Sequence, residues 1–268
     1  MQPRGGHGEE PPATIAAAMA KANVVFNVTT FSISHTQATR QARAAGARII
    51  TMPEFTPEML ISGAIEADFV GQKPFVEKVA SWLTAGKTAH LWSEQGTDFA
   101  LSLEGRNGRA LTGMAHEPGS FSPPPNIEAS IAPVEDTASG TLVINAAVAG
   151  LGLLACPIVI KVEAGRVISI ESFGQGPEAK QLADQLASCN DENVYRIAEL
   201  GIGMNPKARL RGSLLEDEAV LGSLHVALGS NDSFGGLIKA PRHIDMVMIN
   251  TNLAIDGKTV IENGVILD

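Results

Sequence analysis

Residues 13–52 read ATIAAAMAKANVVFNVTTFSISHTQATRQARAAGARIITM, and they decide the fold of the first part of the chain. The Ala-rich segment 13–22 has a helix pattern, and the apolar run 23–28 has a strand pattern. A second helix is predicted over 36–45 and a second short strand over 47–52. This αβαβ alternation predicts a small N-terminal layer with parallel strands.

The character of the sequence changes near residue 87. Two more helix patterns, 56–64 and 74–85, precede that point, whereas short apolar or alternating runs separated by Gly, Asn and Pro follow it. The later part contains one clear helix pattern, 178–188, and ends in two strands joined by an Asp-Gly turn. We predict an α/β fold class. Its predicted parts are a disordered leader over 1–12, an α/β subdomain over 13–86 and a β-rich, α+β metal-binding catalytic domain over 87–268.

Charge and hydropathy limit the partners of the chain. It has 20 Lys and Arg against 29 Asp and Glu, a net charge of -9, and no basic run that would neutralise a row of phosphates. Nucleic acid and membrane surfaces are therefore not expected as partners. The longest apolar stretch, 146–160, is interrupted by glycines and a proline, and the first residues lack the order of a signal peptide. We expect a cytoplasmic protein, and association with further copies stays open.

The strongest chemical feature is a cluster of metal-ligating residue types near the C-terminus. His225 lies in LHVALGSN, and His243 and Asp245 lie in PRHIDMVM. In a strand, His243 and Asp245 project to the same side, so both side chains would hold one ion. His225 from a preceding strand would complete two imidazoles and a carboxylate, a set suited to ferrous iron or zinc. For an isolated HxD match, surface histidines and a turn-capping aspartate are the alternative.

Several other residues are candidates for the site. Glu128 and Glu199 have apolar neighbours, so each requires a partner if buried, which would be a metal, an arginine or a backbone turn. For Glu216 and Glu218 the favoured alternative is a solvated acidic loop, and the other is that one of them, Glu218, is a further ligand or a general base. His35 lies where a strand gives way to a helix, and it either reaches a cleft or helps begin that helix.

Common catalytic motifs are absent from the sequence. It has no Walker motif, no GxGxxG that opens a helix, no GxSxG and no HExxH. This excludes the usual nucleotide-binding, α/β-hydrolase and zincin proteins. The chemistry is therefore expected to come from the metal cluster.

A set of segments in this order resembles the aminopeptidase T family of metallopeptidases and its shorter relatives, which include an iron-dependent 2,5-dihydroxypyridine 5,6-dioxygenase. The segments are SHTQATRQARAAGARIITMP, GTDFALSLEGR, NIEASIAP, AELGIGMNP, LHVALGSN and PRHIDMVM. The resemblance spans nearly the whole chain. The chain departs from the family in being short, since a segment that usually precedes SHT is largely missing.

The resemblance implies two ways to use the same cluster. In the peptidases, the positions of Glu128, Glu199, His225, His243 and Asp245 hold a pair of divalent ions such as zinc, cobalt or manganese. In the dioxygenase, two histidines and an aspartate hold one Fe(II). The first expectation is a hydrolase that removes N-terminal residues from short peptides through a metal-activated water, with Glu218 as the base.

The alternative expectation is an Fe(II)-dependent dioxygenase that cleaves a hydroxylated N-heterocycle, a small-molecule substrate, with His35 as a base. A binding module that keeps the fold without turnover is the third. We favour the hydrolase here because all five candidate ligands are present.

Overall fold

The computed structural model describes residues 1–2, 8–34 and 36–267. The helices in this part of the chain are α1 Ala13–Met19, α2 Gln37–Ala44, α3 Pro57–Ile61, α4 Phe69–Ala85, α5 Glu178–Ala187 and α6 Leu214–Asp217. The strands are β1 Val24–Thr29, β2 Arg48–Pro53, β3 Thr88–Trp92, β4 Asp98–Ser102, β5 Arg109–Leu111, β6 Phe121–Ser122, β7 Glu128–Ile131, β8 Ser139–Ile144, β9 Ala147–Val148, β10 Gly152–Leu153, β11 Ile158–Glu163, β12 Arg166–Ser172, β13 Ile197–Gly203, β14 Leu224–Gly229, β15 His243–Met248, β16 Asn252–Ile255, β17 Lys258–Glu262 and β18 Val265–Ile266.

The N-terminal layer is a parallel sheet in the order β1-β2-β6. The side chain of Thr36 accepts a hydrogen bond from the backbone N–H of Thr39 and so caps the N-terminus of α2. Met19 of α1, Ala42 of α2 and Ile49 of β2 share one small hydrophobic cluster. Helices α1 and α2 therefore cover one face of this sheet.

A seven-stranded sheet, ordered β10-β9-β15-β14-β13-β7-β5, forms the centre of the molecule, and its neighbouring strands are antiparallel. Leu200, Val226 and Met246 are paired across β13, β14 and β15, and all three are fully buried in the main core. Successive side chains of these strands point to opposite faces of the sheet, so the residues between these three project away from the main core. Those residues are nearly all buried as well.

The main core fills the space behind that sheet. Helix α4 contributes Val76, Val79 and Leu83 to it. Leu91 and Leu142 come from an eight-stranded sheet ordered β12-β11-β8-β4-β3-β16-β17-β18. The core therefore fixes the central sheet from one side and leaves its other face for the site.

The fold class predicted from the sequence is confirmed: a parallel N-terminal sheet precedes large antiparallel sheets. The short apolar run 141–148, one of those that predicted the β-rich part, forms two strands, because β8 ends at Ile144 and β9 begins at Ala147 in another sheet. Within the described residues, no helix has the length and apolar character needed to cross a bilayer.

Candidate metal centre

Four neighbouring strands of the central sheet carry the polar residues of the site. Glu199 of β13, Ala227 of β14 and Asp245 of β15 are paired across the strands, so their side chains project to the same face. His243 precedes Asp245 by two residues and shares that face. The face opposite the core therefore presents an imidazole between carboxylates.

The next row on the same face contains His225, which is paired with Gly201 of β13. Glu128 of β7 is paired with Gly203 of the same strand. A Cβ at Gly203 would lie 2.3 Å from the carbonyl oxygen of Val220. Gly201 thus makes room for the imidazole of His225, whereas Gly203 makes room for the backbone of residues 218 and 220.

The donor atoms of these residues converge. The Nε2 atom of His243 lies 3.0 Å from Oε2 of Glu199 and 3.1 Å from Oδ1 of Asp245. The Nε2 atom of His225 lies 3.4 Å from Oε2 of Glu128. Two groups of three ligand atoms lie within 4.8 Å of one another, and Glu199 belongs to both of them.

The orientation of the His243 ring identifies the atom that faces the cluster. Its Nδ1 lies 2.7 Å from the backbone carbonyl oxygen of Ser230, so this nitrogen donates and Nε2 points to the carboxylates. Burial would lower the pKa of His243, but the charge of Asp245 and hydrogen bonds to Asp245 and Glu199 hold it well above its usual value. The proton on Nε2 of His243 therefore lies between this nitrogen and the carboxylates of Glu199 and Asp245. A metal cation bound by the same three groups would replace that proton.

A second group of buried acids lies beside the first. The amide Nδ2 of Asn126 donates to Oε2 of Glu128 at 3.0 Å and to Oε1 of Glu218 at 2.7 Å. Burial raises the pKa of Glu128, against the nearby His225. Burial, together with the charges of Asp245, Glu128 and Glu199, raises the pKa of Glu218 well above its usual value. These surroundings therefore favour the neutral form of the Glu218 carboxyl.

The pKa of Glu199 is shifted in the opposite direction. Burial would raise it, but the hydrogen bond and the charge of His243 lower it. The charge of His243 thus favours the ionised form of Glu199, whereas the surroundings of Glu218 favour its neutral form.

These residues line a cavity of about 1010 Å³. Ser34 and Thr51, at the carboxyl end of the parallel sheet, line its opposite side, and their hydroxyl oxygens are 3.1 Å apart. The ring of Phe234 stands edge-on to His243, with 5.6 Å between ring centroids. The cavity therefore lies between the two sheets and combines polar ligand atoms with an aromatic wall.

The structure brings together six of the residues named from the sequence: Glu128, Glu199, Glu218, His225, His243 and Asp245. His35, the seventh, lies outside the described residues. The alternative of a solvated acidic loop for Glu216 and Glu218 is wrong, because both side chains are buried. Helix α6 turns them inward, where Glu216 pairs with Arg211 and Glu218 accepts from Asn126.

Four contributors to the site were not found from the sequence. They are Asn126, Arg109, Phe234 and the carbonyl of Ser230. The glycines of AELGIGMN, two residues apart in an otherwise apolar strand, are a signal of close packing against that strand, but they point to none of these four.

Fold and site together define a class, enzymes that gather imidazole and carboxylate ligand atoms on one face of an antiparallel sheet beside a large cavity. Within that class, the chain belongs to the 2,5-dihydroxypyridine 5,6-dioxygenase family, whose model matches residues 6–268.

Relatives agree with this assignment. The chain is 28% identical to a 2,5-dihydroxypyridine 5,6-dioxygenase of Pseudomonas putida over 254 residues, 88% of this chain and 69% of the relative. It is similar to the solved structure of a 2,5-dihydroxypyridine dioxygenase from Pseudomonas putida KT2440, with a TM-score of 0.82 and 25% identity, over 95% of this chain and 74% of that one.

The AmpT protein of Thermus thermophilus is a more distant neighbour, with a TM-score of 0.68 and 16% identity over 97% of this chain and 81% of that one. This likeness shows a shared fold only. The hydrolase favoured from the sequence is therefore not confirmed, whereas the family match supports the dioxygenase alternative.

Proposed function

We propose that the chain is an Fe(II)-dependent dioxygenase that cleaves the ring of a hydroxylated N-heterocycle such as 2,5-dihydroxypyridine. The family match over residues 6–268 supports this choice of reaction. The observation that carries it is that each of two imidazole Nε2 atoms lies 3.0–3.4 Å from carboxylate oxygens on one face of the sheet, in two groups of ligand atoms that share Glu199.

The residues present fit a divalent metal ion. Imidazole and carboxylate ligand atoms suit Fe(II) and zinc, and the fixed Nδ1 of His243 leaves Nε2 as its ligand atom. In this proposal His225, His243 and Asp245 hold the ion. The neighbouring carboxylates of Glu128 and Glu199 add negative charge that offsets the charge of the ion. A bound ferrous ion would supply the one-electron chemistry that lets oxygen react with a closed-shell ring.

The overall reaction needs no further reductant. Both atoms of oxygen enter across one carbon–carbon bond of the ring, so the four electrons that reduce oxygen come from the ring itself. The cavity must therefore hold the ring and keep bulk water away while the bond breaks. Phe234, Leu111 and Leu151 supply apolar lining for that purpose.

Proton transfer is assigned to two residues of the chain. Glu218, buried at the cavity wall and held by Asn126, would exchange a proton with the ring hydroxyl. His35 is kept as the second proposed base. Its neighbour Ser34 lines the cavity opposite Glu199 and His243.

The test is the metal content of anaerobically purified protein, followed by oxygen uptake with 2,5-dihydroxypyridine. We expect about one iron per chain, and one oxygen consumed per ring, as the stoichiometry of the reaction requires. His243→Ala should lose both. His90→Ala is the matched control, because His90 also contacts an aspartate, Asp98, but on an exposed strand of another sheet.

A hydrolase is the second candidate, and one observation favours it. Two groups of three ligand atoms share Glu199, which is enough for a pair of ions. About two zinc, cobalt or manganese ions per chain, with release of N-terminal residues from peptides and no oxygen uptake, would replace the dioxygenase by the hydrolase. No bound metal would overturn both.

A further inference from the structure

One amide side chain joins two acids that come from distant parts of the sequence. Nδ2 of Asn126 donates to Oε2 of Glu128 at 3.0 Å and to Oε1 of Glu218 at 2.7 Å. Glu218 lies 92 residues further along the chain, directly after α6. Asn126 is buried, and it lines the cavity together with both acids. Both N–H groups of this amide therefore hold carboxyl groups at the cavity wall.

The backbone on both sides of this contact is fixed by Asn205, the asparagine of the AELGIGMNP segment. Its Nδ2 donates to the carbonyl oxygen of Pro125 at 2.7 Å, immediately before Asn126. Its backbone N–H donates to the carbonyl oxygen of Ala219 at 2.8 Å, immediately after Glu218. Asn205 is fully buried. One residue thus ties together the two segments that carry the amide and the carboxyl, so separating them would break buried hydrogen bonds.

The contact decides which oxygen of Glu218 carries a proton. An amide N–H needs an oxygen that accepts, and in a neutral carboxyl the better acceptor is the carbonyl oxygen. Because Oε1 accepts from Asn126, the proton of the neutral carboxyl belongs on Oε2. Oε2 is then the atom that exchanges a proton with the ring hydroxyl. Without the amide, the carboxyl would be free to rotate and to carry the proton on either oxygen.

The other end of the amide indicates that stability alone does not explain it. Oδ1 of Asn126 is buried and has no hydrogen-bond partner among the described residues. An unpaired buried oxygen is unfavourable, and departures of this kind are typical of functional sites. An apolar side chain of the same shape would remove the two donated bonds and no other hydrogen bond of this side chain. Asn126→Leu is such a change.

We propose that Asn126 is a positioning residue that holds the carboxyl of Glu218 through Oε1 and so turns Oε2 toward the substrate. This inference rests on the proposed function, in which Glu218 exchanges a proton with a ring hydroxyl. It adds a residue that affects the rate only through Glu218. The amide and the carboxyl then act as one unit, so the effects of removing each should not add.

The first test is a double-mutant cycle on oxygen uptake by iron-loaded protein with 2,5-dihydroxypyridine. Asn126→Leu should lower kcat by about 10–100-fold, as for other outer-shell partners of metal sites, and leave KM and iron content unchanged. Adding Asn126→Leu to Glu218→Gln should cause no further loss. Losses that multiply in the double variant, full kcat in Asn126→Leu, or a loss explained by lower iron content would overturn the inference.

Asn145→Leu is the matched control. Nδ2 of Asn145 also donates to two oxygens, those of Gln95 and the backbone carbonyl of Ile249, but it lies outside the cavity, between β8 and β9. This variant should keep the wild-type kcat. Circular dichroism checks that each variant is folded, and Asn126→Ser takes the place of Asn126→Leu if the larger side chain prevents folding.

The second test needs neither iron nor turnover. In metal-free protein in mildly acidic buffer, the infrared carbonyl band of Glu218 is the band that Glu218→Gln removes. Asn126→Leu should move this band to higher frequency, because the carbonyl oxygen loses its donor. A band that stays in place would contradict the inference. A band that moves in a protein without oxygen uptake refutes the proposed function and leaves the positioning of Glu218 standing.

Discussion

The imidazole of His225 lies so close to the backbone of Gly201 that a Cβ at residue 201 would stand 1.9 Å from Nε2. The two residues face each other on paired strands, and the ring passes over the position where every other amino acid has a side chain. Gly201→Ala should therefore displace the His225 ring and lower the bound metal to less than half of the wild-type content. We expect unfolding to become easier by about 1–3 kcal/mol, as for other overpacked sites.

Metal content per chain and urea unfolding measure the two effects. Gly174→Ala is the control, because the nearest atom to its added Cβ would be Sγ of Cys156 at 3.9 Å. Full metal content in Gly201→Ala would mean that His225 is not a ligand.

Glu218 gives an expectation about rate without metal loss. Glu218→Gln keeps an oxygen that accepts from Asn126 but removes the proton that the carboxyl exchanges. We expect oxygen uptake to fall by about 10²–10⁴-fold with unchanged iron content, as for other general acid–base residues. Glu262→Gln, at an exposed position, serves as the control. Wild-type turnover in Glu218→Gln would remove Glu218 from the chemistry.

A half-buried ion pair holds the loop that carries Phe234. Arg106 contacts the carboxylate of Glu135 and the carbonyl oxygen of Gly235, and Glu135 accepts from the backbone N–H of Leu237 at 2.7 Å. Removing one partner leaves the other charge poorly solvated. Glu135→Ala should therefore lower the free energy of unfolding by about 1–2 kcal/mol and speed amide exchange over residues 231–238.

The control for this loop is Glu104→Ala, whose exposed carboxylate lies 4.0 Å from Lys87. A surface pair of this kind contributes about 0–1 kcal/mol, so that variant should unfold like the wild type. Unchanged exchange over 231–238 in Glu135→Ala would show that the loop is held in another way.

Asp217 makes stability depend on pH. Burial raises its pKa from 3.8 to about 6, although the backbone N–H groups of Arg211 and Gly212 donate to Oδ1. Because the pKa is higher in the folded state, this group stabilises the fold fully below pH 3.8, and that stability is lost as the pH rises through 6. Asp217→Asn should remove this loss and be more stable at pH 7.5 by up to about 3 kcal/mol.

Urea unfolding of both proteins between pH 4 and 7.5 provides the measurement. Asp184→Asn is the control, because Asp184 is exposed beside Lys180. A difference between wild type and Asp217→Asn that stays constant with pH would contradict the expectation.

The elements that the sequence predicted are those with local signals. The hydrophobic periods of 13–22 and 36–45 predicted α1 and α2, and the i,i+2 spacing of His243 and Asp245 predicted their common face. Strand β6 has only two residues, and it pairs with β2 across a long stretch of chain, so no periodicity reveals it.

The rest of the site depends on pairing between strands. The register that sets His225 against Gly201, and Arg109 in the same row, follows from how β5, β7, β13 and β14 align. Hydrophobic patterns fix which face a residue takes but not its neighbour on the next strand. Asn126 and Phe234 were missed for the same reason, since their contacts are formed only in the assembled sheet.

The ligand atoms come from four strands that are far apart along the chain, from β7 to β15. During synthesis, Glu128 is made long before Asp245, so the site does not exist until the last quarter of the protein has emerged and paired. In the proposed function, metal loading is then a late step, and it would favour the folded over the unfolded state by mass action. Cells short of the proposed metal would accumulate fully synthesised chains of lower stability. In such chains, only protons would reduce the repulsion between the neighbouring buried carboxylates.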